Sequence, residues 1–70
     1  METKVIGTNA GLVWNLLNEK KCVEVAELKK MSGLNESEFW AAIGWLSRED
    51  KLVYSTEKQG RKTIKKFSLA

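Results

Sequence analysis

The groups in this chain that can do chemistry are mostly cationic, and they crowd towards its end. Lys51, Lys58, Arg61, Lys62, Lys65 and Lys66 stand in the last twenty residues against Glu57 alone, a net of +5. Residues 1–50 carry six Lys/Arg and eight Asp/Glu, a net of −2, so the whole chain sits at +3. A basic end on a mildly acidic body suits a polyanion such as nucleic acid. The same lysines on a strand edge also keep that edge soluble, because charge discourages edge-to-edge pairing.

Other chemistries are closed off by composition. There is no histidine and one cysteine, so neither a Ser-His nor a Cys-His pair can form, and imidazole and thiolate cages for a metal are ruled out. No glycine-rich phosphate loop or nucleophile elbow is present. Glu36 and Glu38 fit a helix cap, Glu49-Asp50 fits surface decoration, and Cys22 fits a small apolar filler at a strand position. The expectation is a module that is not an enzyme and uses no cofactor and no metal.

Seventy residues, 43% hydrophobic, make one small domain over 1–70; a chain of this size buries roughly 60% of its unfolded surface. The longest apolar-plus-glycine run, Phe39 to Leu46, is eight residues, against about 20 for a bilayer span. The start shows no signal-peptide h-region. Without disulfide staples a reducing, cytoplasmic home is expected.

The elements that position the cations follow from spacing. Thr8 and Asn9 offer N-cap oxygens ahead of a stripe at Leu12, Val13, Leu16 and Leu17, which predicts a first helix from about Ala10 to Lys20. Cys22-Val23 reads as a short extended break. Val25, Leu28 and Met31 predict a second helix over roughly Glu24–Met31, ended by Gly33 at a positive-φ C-cap with Leu34 folding back. Asn35 with Glu38 makes a capping box that opens a third helix, whose core face is Phe39, Ala42, Ile43 and Leu46, stopping near Asp50-Lys51. Leu52–Thr56 and Lys62–Leu69 read as strands joined by a turn at Glu57–Gly60, with Gly60 at positive φ. Tyr54 and Phe67 would pack this hairpin onto the helices. A three-helix bundle with a C-terminal β-hairpin wing is an α+β winged helix-turn-helix, and Gly33-Leu34 sits where the helix-turn-helix corner needs it.

Asn9-Ala10-Gly11 leading into Val13-Trp14, Glu27-Leu28-Lys29-Lys30, Gly33-Leu34 and above all Ala42-Ile43-Gly44-Trp45-Leu46-Ser47-Arg48-Glu49 resemble a family of short bacterial winged helix-turn-helix proteins of unknown function. The resemblance spans nearly the whole chain. It implies a winged-helix fold and a DNA-binding role by analogy, with no ligand established.

Two functional readings stay open. In the first, a transcription-related module binds double-stranded DNA through phosphate contacts from Arg48, Lys58, Arg61, Lys62, Lys65 and Lys66, while the third helix plays a reduced part. Its outward face offers Ser37, Ala41, Gly44 and Arg48, with Trp40 on the flank and two carboxylates at the leading end, a poor set for reading bases. In the second, Ser37, Trp40, Ala41 and Gly44 form a homodimer or protein-partner surface, small residues around a large amphipathic anchor. Trp45 is expected to pack on the first helix or the hairpin.

Overall fold

Apolar residues at helical spacing on three helices and at alternate positions on two strands meet in one core. The structure, a computed structural model, describes residues 1–70. It runs α1 (Thr3–Lys20), β1 (Cys22–Glu24), α2 (Val25–Ser32), α3 (Glu36–Arg48), β2 (Leu52–Gln59) and β3 (Lys62–Leu69). The strands form one antiparallel sheet in the order β1-β3-β2. This is a winged helix-turn-helix, α+β. Phe39, Leu17, Leu28 and Val13 are its fully buried large side chains, joined by Ala10, Val23, Ala42, Ile43, Leu46 and Phe67. Each such large apolar side chain contributes about 1.5–3 kcal/mol through burial. No helix is long and apolar enough to cross a membrane.

The local signals around the corner hold. Gly33 takes φ 69 at the end of α2, a left-handed conformation that glycine enters without a Cβ clash. Ser32 Oγ donates to the Lys29 carbonyl and accepts the Leu34 N–H, and Leu34 packs against the core. In α3, Asn35 Oδ1 accepts the Glu38 N–H at 2.8 Å while Glu38 Oε1 accepts the Asn35 N–H at 3.1 Å. That reciprocal cap satisfies two otherwise orphaned donors, worth about 1 kcal/mol.

Four expectations are corrected. First, α1 begins at Thr3, seven residues before Ala10. Thr8 and Asn9 are therefore interior, not caps: Thr8 Oγ1 donates back to the Lys4 carbonyl, and Asn9 Nδ2 is buried without a partner. The added turns are held by packing, with Trp45 of α3 lying over Gly7; Ala10 takes a core place, whereas Leu12 is exposed. Second, Cys22 belongs to a true strand, paired with Ser68, and its side chain is exposed and fills no core position. Third, the hairpin turn is tighter than its polar composition suggests. Gln59 pairs with Lys62, leaving only Gly60-Arg61 in the loop. Gly60 at φ 62 supplies the single positive-φ position such a two-residue loop needs, so Glu57, Lys58 and Gln59 join β2. Tyr54 is also more exposed than expected, resting on buried Phe67 with ring centroids 5.5 Å apart.

Candidate nucleic-acid interface

β1 supports only Lys66 to Ser68 of β3. Beyond them β2 and β3 continue as a free two-stranded ribbon to the Gly60-Arg61 loop, which helps stretch the molecule to 41 × 23 × 20 Å. Strand side chains alternate between faces, so the register sorts the cations. The row that starts at the core with Tyr54 opposite Phe67 continues outward through Thr56 opposite Lys65 and Lys58 opposite Thr63. The opposite face carries Ser55 opposite Lys66, Glu57 opposite Ile64 and Gln59 opposite Lys62.

The structure thus brings Lys58 and Lys65 together on one face and places Lys62 and Lys66 on the other, with Arg61 at the tip. Lys66 is engaged: its Nζ donates to Glu57 Oε2 at 2.8 Å. That hydrogen bond, reinforced by the charge, holds the Glu57 carboxyl below its ordinary pKa and lifts the Lys66 ammonium above its own. Lys58, Arg61, Lys62 and Lys65 take part in no ion pair. Arg48 lies apart, at the C-terminal end of α3 beside Trp45 and Glu49. The eight residues of β2 separate the α3 end from the tip, roughly 26 Å at about 3.3 Å per residue.

On α3, Ser37, Trp40 and Gly44 are exposed and Ala41 is half-buried, on one outward side. A Cβ at Gly44 would meet nothing within 4 Å. Trp40 is 48% exposed, yet held: its Nε1 donates to Glu36 Oε2 at 2.8 Å, and Glu36 is in turn ion-paired to Lys29. Its ring meets Phe39 nearly perpendicularly, at 79° and 5.1 Å. Trp45 packs on α1 at Gly7, as its position in the third helix suggested.

Trp40 does not face open solvent alone. With Glu36 it forms one side of a cleft of about 510 Å³, closed by Val25, Ala26 and Lys29 of α2 and by Thr63 and Lys65 of β3, with Glu24 at the rim. Lys29 and Thr63 were missing from the sequence-based set. Thr63 could have been found, since it sits four residues from Phe67 and so shares its face. No group of three or more His, Cys, Asp or Glu side chains comes together.

Residues 1–66 match the model of a family described as a winged helix-turn-helix domain, DUF2582. The chain is 39% identical over 49 residues to the uncharacterized protein MJ1608 of Methanocaldococcus jannaschii, covering 67% of this chain and 70% of that one. It is similar in fold to protein BT2368 from Bacteroides thetaiotaomicron, solved by solution NMR, with a TM-score of 0.69 and 35% identity over 93% of this chain and 77% of that chain.

Proposed function

The chain belongs to the DUF2582 family of winged helix-turn-helix domains, and from that premise we propose that it is a DNA-binding module that grips phosphates with its ribbon. The observation that carries the reading is the projecting β2–β3 ribbon, whose Lys58, Arg61, Lys62 and Lys65 are exposed and free of ion pairs. Such cations release counterions when they meet phosphates, which gives affinity with little sequence choice. α3 adds little base reading: Glu36 and Glu38 stand in its first turn and only Arg48 in its last. Phosphates repel those carboxylates, whose place is explained by the helix N-terminus they stabilise. A role in transcription, in the cytoplasm, fits a small module of this kind.

The test is a titration of duplex DNA at several salt concentrations. Four phosphate contacts predict a log–log slope of about −3.6, weakened by Arg61→Ala with Lys62→Ala. Absence of binding at low salt, or binding indifferent to those changes, refutes the proposal. A second reading, association of two copies or with a protein partner through Ser37, Trp40, Ala41 and Gly44, is favoured by the exposed indole among small neighbours. It predicts an oligomer in light scattering that Trp40→Ala dissociates.

A further inference from the structure

We infer that the cleft between α3 and β3 stacks an unpaired base of a polynucleotide on Trp40, while the same strand's phosphates run along the ribbon face of Lys65 and Lys58. The inference rests on the nucleic-acid reading of the ribbon and narrows its substrate class to strands with exposed bases: single strands, or duplexes opened at an end or bubble.

Four observations converge on it. The first is the indole itself, a large apolar surface left 48% exposed, more than any other large apolar side chain of its helix. Trp40 is also preorganised. The bond to Glu36 and the contact with Phe39 fix the ring before any ligand arrives, and a perpendicular contact occupies at most one side of it. Fixing an aromatic platform in advance removes an ordering cost from binding.

The third observation is the setting. The cleft's volume of about 510 Å³ falls within the roughly 300–1,000 Å³ of small-molecule clefts. Thr63 places a hydroxyl, donor and acceptor both, on the wall facing the indole's side of the cleft. Lys65 lines the same wall, and Lys58 stands opposite Thr63 on the same ribbon face.

The fourth is charge. Two carboxylates border the cleft: Glu36 is paired with Lys29, and Glu24 stands opposite Lys66 in the sheet, where the Lys66 ammonium is already held by Glu57. The ribbon face itself carries Thr56, Lys58, Thr63 and Lys65 and no acidic residue. Stacking surfaces beside a cationic track are how single strands are held without sequence choice, since every base has a π-face. A closed duplex hides those faces inside its stack, and the outward side of α3 offers only Ser37 and, in its last turn, Arg48 to read base edges in a groove.

The experiment compares a short oligothymidylate, an oligouridylate and a duplex DNA of equal length, all titrated into the full chain at low salt with tryptophan fluorescence and anisotropy as readouts. The expected result is quenching by both single strands and at least a tenfold tighter fit for one or both over the duplex. Trp40→Ala should weaken single-strand binding about 5- to 150-fold, the equivalent of losing one stacked base. Trp40→Phe should retain most of the affinity, and circular dichroism of both variants should match the parent. A single-strand preference confined to the uridylate, or to the thymidylate, still supports the cleft. Equal binding of duplex and single strands, unaffected by Trp40→Ala but lost with Arg61→Ala and Lys62→Ala, overturns the cleft and leaves the ribbon reading standing. No binding of any polynucleotide overturns both. A Trp40→Ala variant that loses an oligomer while its affinity for every strand is unchanged also overturns it, and assigns the indole to protein association.

Discussion

The two faces of the β2–β3 ribbon are built from the same strands and differ by one residue of register. On the face towards α3, the row begins in the core with Phe67 and emerges as Lys65, Thr63 and Lys58, with no carboxylate on either strand. On the other, Lys66 and Lys62 share space with Glu57, and Glu24 of β1 stands directly opposite Lys66. A net charge counted along the sequence treats Lys65 and Lys66 alike. The fold does not: one ammonium is free beside an aromatic cleft, the other is held by a carboxylate 2.8 Å away. A basic segment is thus a face and its complement: Lys58 and Lys65 stand free on one, while on the other Lys62 is free and Lys66 is engaged.

The largest test of that contrast is at the foot of the ribbon. Phe67→Ala should cost about 3–5 kcal/mol in urea denaturation, a transfer and cavity loss at a buried site. Its neighbour on the other face, Ser68→Ala, should stay within about 0.5 kcal/mol. Comparable losses would mean that both faces carry core packing. Next comes charge. Lys65→Ala should make the salt dependence of DNA binding shallower by about 0.9, one phosphate's share, while Lys66→Ala should leave the slope where it was. Equal changes would reduce the ribbon to a diffuse cationic arm.

The smallest effect lies in the ion pair itself. Because Glu57 has its carboxyl pKa lowered from 4.5, the pair's contribution is complete above that value and is lost as pH falls through the lower, folded one. Because Lys66 is raised from 10.5, the contribution is complete below that value and disappears as pH climbs past the higher one. Glu57→Gln should remove both limbs from the pH dependence of thermal unfolding, and the freed Lys66 should then steepen the salt slope by up to about 0.9. An unchanged slope would show that Lys66 meets no phosphate even when freed.

How far all this could be read from the chain depends on distance along it. Asn35 with Glu38, Gly33 and Gly60 act within a few residues, so the α2–α3 corner and the hairpin tip were legible from their own chemistry. The first two turns of α1 were not, because Val5, Ile6, Gly7 and Thr8 are ordinary or poor helix formers and the helix there is held by Trp45 lying over Gly7. β1 is three residues long and exists only as a partner for β3. Of the candidate site, the cations and Trp40 were visible individually, but as members of rival readings. Their meeting is a matter of register: Lys65 shares the Phe67 side of β3, and that side faces α3. Nothing local to Trp40 announces Lys65, twenty-five positions away.

One consequence follows from the two-residue loop that closes the ribbon. Since removing or adding a single residue per strand at the foot of the ribbon would turn over every side chain beyond it, the arm can be lengthened or shortened there only by two residues per strand if the lysines are to keep their aim. Its reach is therefore quantised, in increments of about 6.6 Å, like a ladder that can lose rungs only in pairs.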